Sequence, residues 1–207
     1  MRHRFSVADT ADMVALSYFV PPVDLAHYFG AMYLFTADQP RVADHTRADF
    51  AQIRFMLAGS GAYRFVDGHR AETPECCLLG ATSAATHFDV HGPLQVFGVS
   101  VLPLGWAALR AGDADAASDD VVDLAARFGP GWTDMLSALR RIDDPGSAED
   151  IFWAFIRDHL HPVPDAERRF IEVVDRWLAD EQSPRVEVLQ ETTGLSARQL
   201  ARWCNRL

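Results

Sequence analysis

Gln52-Ile53-Arg54-Phe55-Met56-Leu57 alternates in character, with Ile53, Phe55 and Leu57 on one face of an extended chain and Gln52 and Arg54 on the other. Ala58-Gly59-Ser60-Gly61 follows as a turn signal, Tyr63-Arg64-Phe65-Val66 as a second strand, and Asp67-Gly68 as another hairpin-type turn. The texture extends in both directions. Leu34-Phe35 lies upstream, after a possible short helix around Asp24 to Tyr28. Cys76 to Leu79, Thr86 to Val90 and Leu94 to Leu102 continue the series downstream. Strands separated by regular glycine-containing turns predict a sandwich or small barrel.

The pattern changes after Pro103-Leu104-Gly105. Trp106 to Ala111, Val121 to Phe128 and Trp132 to Arg141 read as short helices. Ser147, three residues before Asp150, marks the start of a helix whose apolar stripe is Ile151, Phe152, Phe155 and Ile156. Pro164 opens a longer helix with Phe170, Val174, Trp177 and Leu178 on its buried face. Glu181-Gln182-Ser183-Pro184 is a polar break that reads as a hinge. The chain therefore divides into a β-rich unit over 1–105, a helical connector over 106–180 and a terminal unit over 181–207. The fold class is α+β. Trp153, Phe155 and Trp177 exceed what thin helices need, and they make the connector the expected site of homodimerisation.

Composition narrows the function. The 207 residues are enough for a sizeable core, and 49% are hydrophobic. All 19 basic residues are Arg, which excludes a Schiff-base lysine and a phosphate-loop lysine in this chain. The net charge of −10 argues against a body that coats nucleic acid by charge alone. Cys76, Cys77 and Cys204 form no disulfide framework, which points to a reducing compartment. No apolar run has the length of a membrane span, and Met1-Arg2-His3-Arg4-Phe5 leads into no signal-peptide core. The expectation is a cytoplasmic protein without a membrane partner.

The last residues carry a different charge. Residues 181–207 hold four Arg against three acids, whereas residues 1–180 hold 15 Arg against 26 acids. Val186 to Thr193 forms a short amphipathic helix, and Gly194 permits the left-handed backbone that closes it. Ser196 caps the next helix, Ala197 to Leu207, with Gln199 completing a capping box. Arg198, Arg202 and Arg206 recur every four residues, flanked by Gln199 and Asn205. Helix, glycine turn and capped helix with exposed Arg, Gln and Asn is a helix-turn-helix pattern, whose side chains match base edges in the major groove. A plain surface helix ending a helical domain has the same pattern.

Val188-Leu189-Gln190-Glu191-Thr192-Thr193-Gly194-Leu195-Ser196-Ala197-Arg198-Gln199-Leu200-Ala201-Arg202 resembles the first helix-turn-helix of AraC-type transcription regulators. Gln190 stands where the family usually has Ala, and Trp203 or Cys204 where a Phe is common. The resemblance implies base contacts from Arg198, Ala201 and Arg202, with promoter DNA as partner. Gln199, Asn205 and Arg206 complete the expected DNA-binding set. Tyr18-Phe19-Val20-Pro21-Pro22 with Leu25 and Phe29 resembles the start of a sensor domain found in some members. Gly92-Pro93 with Gly98 to Pro103, and Asp119 to Leu124 with Phe128-Gly129, resemble later parts of it. That likeness implies a cupin-like β-barrel followed by helices, and a small-molecule effector. The family's DNA-binding domain has two helix-turn-helix units, so a further ~50–60 residues are expected, and this chain alone is expected to bind DNA weakly or not at all.

Other constellations stay open. His87, Asp89 and His91 share one strand face and suit a metal, although ligands ~6.8 Å apart along one strand diverge. The alternative places Phe88 and Val90 on the core and the polar set in water. His159-Leu160-His161 at a helix end reads as structural. Arg54 and Gln52 either face water or line a barrel lumen, where Arg54 holds an anion. Tyr33, Phe35 and Trp106 are candidate apolar wall residues, and with Gln52 and Arg54 they form the expected effector site. No Gly-x-Ser-x-Gly, His-Glu-x-x-His or phosphate loop is present. The expectation is a ligand-responsive regulator that is not an enzyme and carries no cofactor. The alternatives are a small cupin-like metalloenzyme and a sensor or protein-interaction fragment without DNA binding.

Overall fold

Residues 51–64 form one strand, β5 (Ala51–Arg64), rather than two joined by a turn. The structure, a computed structural model, describes residues 4–9, 14–142, 144–180 and 184–207. β5 pairs along its length with β8 (Thr86–Val101), also one strand where the sequence suggested two. The glycines that signalled a turn instead form an irregularity in the ladder. Between Ala58 and Ser60 the pairing jumps from Gln95 to His91, so β8 carries extra residues around Gly92-Pro93. Gly59 sits there at φ +83°, and a Cβ on it would lie 2.7 Å from the His91 carbonyl oxygen. Only glycine fits that backbone without strain.

The described residues build one nine-stranded sheet, antiparallel throughout. β1 (Arg4–Asp9), β2 (Val14–Phe19) and β3 (Phe29–Ala37) lead to β8, followed by β5, β7 (Cys76–Leu79) and β9 (Val121–Asp123). β4 (Arg41–Thr46) pairs with the first half of β8 while β3 pairs with the second, and β6 (Arg70–Glu72) pairs with the end of β5. Asp24 to Tyr28, a possible helix by sequence, is a series of turns. They are held by bonds such as Leu25 N–H to the Pro22 carbonyl (2.8 Å) and Tyr28 N–H to the Leu25 carbonyl (2.9 Å).

The helices are α1 (Pro103–Leu109), α2 (Ala114–Ala117), α3 (Leu124–Phe128), α4 (Gly131–Leu139), α5 (Pro145–His159), α6 (Asp165–Leu178), α7 (Val186–Thr193) and α8 (Ala197–Arg206). The predicted helix from Val121 splits. Val121 and Val122 extend the sheet beside β7, as β-branched residues favour, and Asp123 then caps α3 by accepting from Ala126 N–H at 3.0 Å. Asp144, not Ser147, caps α5; its carboxylate accepts from Ser147 N–H at 2.8 Å.

Ile53 and Phe55 point into the main core with Phe97, Trp106, Trp132, Phe152 and Trp153. The Phe152 ring lies 5.3 Å from Phe97, 6.1 Å from Phe55 and 5.0 Å from Trp153, centroid to centroid. Arg140 at the end of α4 fastens this layer to the irregular part of β5. Its guanidinium donates to the Leu57 and Met56 carbonyls at 3.1 and 2.9 Å, and to Glu75 at 2.6 Å. Carbonyls that the ladder leaves free near a bulge thus find a donor.

Trp153 and Phe155 belong to this core, and Trp177 packs against α7 and α8 with its indole N–H on the Arg185 carbonyl (3.0 Å). The aromatic residues from which a dimer interface was expected are therefore used within the chain. The hinge residues Glu181, Gln182 and Ser183, and Met1 to His3 of the basic stretch, lie outside the described residues. Among the described residues no helix is long and apolar enough to cross a membrane.

Phe152 is fully buried at the junction of sheet and helices. Phe152→Ala is expected to cost about 3–5 kcal/mol of stability in urea unfolding. Phe50→Ala, at a side chain left 55% exposed, is expected to change stability by less than about 0.5 kcal/mol.

Candidate functional site

The sheet face opposite the helices lines a half-open cavity of about 300 Å³. Gln52, Arg54 and Met56 reach it because they alternate with Ile53 and Phe55, which are committed to the helical side. Most of the wall is apolar, with Phe35, Phe88, Val90, Leu94 and Val96 among its residues. Tyr33, Phe35, Gln52 and Arg54, named from the sequence, all line it.

Trp106 does not share this cavity. It lies on α1 within the main core on the helical side of the sheet, 4% exposed, with its indole N–H on the Gly112 carbonyl at 2.9 Å. Met56, Asp49 and Tyr63 also line the cavity and were missed. Met56 was findable, because it has the parity of Gln52 and Arg54. Tyr63 has the opposite parity; the irregular ladder between Met56 and Ser60 brings it to the same side.

The polar groups of the wall converge on one atom. Gln52 is buried, and its Oε1 accepts from the Tyr33 hydroxyl (2.8 Å), Arg54 Nε (3.0 Å) and Arg54 Nη2 (2.7 Å). Its amide nitrogen donates to Asp49 Oδ2 at 2.7 Å. The Arg54 guanidinium lies 5.4 Å from the centre of the Tyr63 ring, a cation–π distance. Among the described residues Arg54 makes no ion pair with a carboxylate. Burial raises the pKa of the Tyr33 hydroxyl, while the Arg54 charge opposes that shift. Burial likewise pushes Cys77, paired across the ladder with Arg54, up to about 12, and its neighbour Cys76 up to about 11.

His87, Asp89 and His91 face away from the cavity, while Phe88 and Val90 between them line it. Asp89 is held by Arg41 of β4 through two bonds of 2.7 Å, which lower its pKa. The His87 ring meets His45 across the ladder at 5.0 Å. Among the described residues no group of three or more His, Cys, Asp or Glu is placed to hold a metal ion.

The second candidate site is the C-terminal helix pair. α7 closes at Gly194 in the left-handed conformation (φ 67°), with Gly194 N–H on the Gln190 carbonyl at 2.8 Å. Ser196 then caps α8 in a complete capping box, in which Gln199 N–H donates to Ser196 Oγ and Ser196 N–H donates to Gln199 Oε1 (3.0 Å). Leu189 and Leu200 are buried against Phe170, so α6 joins α7 and α8 in one apolar cluster.

The six predicted DNA-binding residues are all exposed, but they differ in what they touch. Gln199 is engaged in the cap. Asn205 reaches Asp115 of α2 at 3.5 Å, and Arg206 approaches Glu167 at 3.7 Å and the Trp203 ring at 4.7 Å. Arg198 and Arg202 make no ion pair or hydrogen bond with the described residues, and Ala201 lies between them on α8.

No family model matches the sequence, and no curated protein matches it. Solved structures resemble it at low similarity. The crystal structure of the AraC-like transcriptional activator CuxR is 11% identical, with 97% of this chain and 79% of that one covered, at a TM-score of 0.43. A cupin-like protein from Thermotoga maritima is 16% identical over 42% of this chain and 68% of that one (TM-score 0.32). A variant of oxalate decarboxylase from Bacillus subtilis is 13% identical over 47% of this chain and 29% of that one (TM-score 0.34). By its own elements the chain is an α+β protein, an antiparallel sheet followed by helices. It spans well under half of the oxalate decarboxylase chain. The expectation that the chain is not an enzyme is corrected by these likenesses. Enzymes such as the oxalate decarboxylase stand among the structures it resembles, and enzyme status is not established.

Raised thiol pKa values set a sign for the pH dependence. Cys76 and Cys77 stay neutral in the fold while an unfolded chain ionises them from about pH 9, so their contribution is complete below pH 9 and is lost as pH climbs toward 11–12. The urea midpoint is expected to fall between about pH 8 and pH 10, and to fall less in a Cys76→Ala/Cys77→Ala double variant. Mass spectrometry after maleimide treatment should find Cys204, the exposed cysteine, labelled in the folded protein, and all three labelled in urea.

Proposed function

We propose that the chain is the sensor part, with a first DNA-reading unit, of a ligand-responsive transcription regulator of the AraC type. The observation that carries this reading is the α7–α8 pair. A left-handed Gly194 and a Ser196–Gln199 capping box set two short helices against α6 and leave Arg198 and Arg202 exposed without partners among the described residues. Two unpaired guanidinium groups one turn apart, with Ala201 between them, suit a helix lying in the major groove. Each Arg matches a guanine edge, and the Ala methyl matches a thymine methyl. The cavity supplies the other half of such a regulator, a mostly apolar site with a few convergent polar groups, suited to a small-molecule effector. Promoter DNA and that effector are the partners in this reading. Asn205 and Arg206 face the protein body rather than a groove and contribute less.

The test is selection of bound duplexes from a random-sequence DNA pool at about 50 mM salt, where phosphate contacts are least screened. The expected outcome is a shared motif in the retained duplexes. Arg198→Ala or Arg202→Ala should weaken binding to it by about 1–3 kcal/mol each and relax the preference at one position. Arg206→Ala should cost less. Retention without any shared motif, or retention indifferent to Arg198 and Arg202, overturns the reading.

A further inference from the structure

The effector class follows from how Arg54 is used. This step rests on the cavity being the effector site, and it adds what the cavity selects. A guanidinium carries five N–H donors in a planar fork. One edge, Nε with Nη2, is spent on the single oxygen of Gln52. Nη1 has no acceptor among the described residues. Tyr63 backs the guanidinium, and Gln52, braced by Tyr33 and Asp49, holds its orientation. The end-on edge, Nη1 with Nη2, is the one left for a ligand. Two parallel N–H groups on that edge match the two oxygens of a carboxylate.

The rest of the wall sets the remainder of the molecule. Beyond this polar corner the lining is mostly apolar, with Phe35, Met56, Phe88, Val90, Leu94 and Val96; Tyr18, Thr46, Thr73 and Ser100 add hydroxyl groups but no second cation, so a second negative charge on a ligand would go unanswered. Asp49 does not offer a comparable anchor for an amine. It is exposed, and its two oxygens already accept from Phe50 N–H (2.8 Å) and the Gln52 amide (2.7 Å). At about 300 Å³ the cavity lies at the small end of ligand pockets. We infer that the cavity binds a compact monocarboxylate with an apolar body, its carboxylate held end-on by Nη1 and Nη2 of Arg54.

Isothermal titration of the whole chain with two matched pairs tests this: octanoate against octanamide, and phenylpropionate against phenylpropanol. At least one acid is expected to bind ten or more times as tightly as its neutral partner, a difference of about 1.4 kcal/mol. Arg54→Gln should erase that preference while leaving the neutral partner within about threefold, since a charge-assisted bidentate contact is what the variant removes. Arg54→Lys, which keeps the charge without the fork, should fall between them. If Arg54→Gln does not fold, the acid-to-neutral ratio in the unaltered chain and in Arg54→Lys decides. Equal binding of acid and neutral partner, or a preference untouched by Arg54→Gln, overturns the carboxylate assignment and leaves the cavity a ligand site. No binding of either pair up to about 1 mM also overturns it; the regulator reading is judged separately by the DNA selection.

Discussion

Along its fourteen residues β5 runs beside β8, and each step along the strand sends a side chain to one or the other side of the sheet. Neither side is open water. Ile53 and Phe55 meet the helices through Phe97 and Phe152, and Gln52, Arg54 and Met56 meet the cavity. A one-residue slip in this pairing would drive Arg54 into an aromatic core and Phe55 into the polar corner. The penalty for an unpaired buried guanidinium and four lost hydrogen bonds on Gln52 makes such a slip prohibitive. Register here is therefore specified twice, by apolar packing on one side and by polar satisfaction on the other.

The polar corner shows how a cation is kept next to an apolar wall. Arg54 is half-buried and faces no carboxylate directly; an amide oxygen and an aromatic face receive it, and Asp49 is reached only through the Gln52 amide. A directly paired Asp would satisfy the charge fully and leave nothing for a ligand to do. A neutral acceptor orients the group while leaving its electrostatic demand unmet. The same separation marks the C-terminal helix. The Arg206 charge is partly answered by Glu167 and Trp203, whereas the Arg198 and Arg202 charges are answered by no described residue.

Much of this was legible in the sequence, for reasons that are local. Alternation over 52–57 gives the face of each side chain, and Gly194, Ser196 and Gln199 give the helix ends, because capping is decided within four residues. The placement of Gln52 and Arg54 on one face was readable; whether that face met water or a lumen was not, because it depends on strands β3 and β8, far along the chain. The glycines at 59 and 61 and the Gly92-Pro93 pair read as turns, since a turn and a paired irregularity in two long strands use the same residues. Trp106 was misplaced for a related reason. Composition marks an aromatic residue as buried, but only the sheet's curvature decides on which side. Val121-Val122 was drawn into a helix by its neighbours; the open edge of β7 overrode that preference.

The cavity and the α7–α8 pair are joined through the end of one strand. Ser100 lines the cavity, Val101 is buried in the main core, and Pro103 opens α1. Trp106 and Leu109 of α1 lock into that core, while Leu104 and Ala108 pack with Ile171 of α6. α6 in turn holds Leu189 and Leu200 through Phe170. These contacts are close-packed and apolar, so displacement of one element is felt by the next without any polar relay. Contact alone does not make a signal. A bound molecule shifts α8 only by the difference in its affinity for two arrangements of these helices. Filling the apolar part of the cavity equally well in both arrangements would shift nothing. Contact with Arg54 is different, because Gln52 and Arg54 lie on β5, whose ladder partners are the last residues of β8: Gln52 faces Ser100 and Arg54 faces Gly98. Any change in how that corner is satisfied acts on the stretch of β8 that leads into α1, and so on the element packed between the cavity and the α6–α8 cluster.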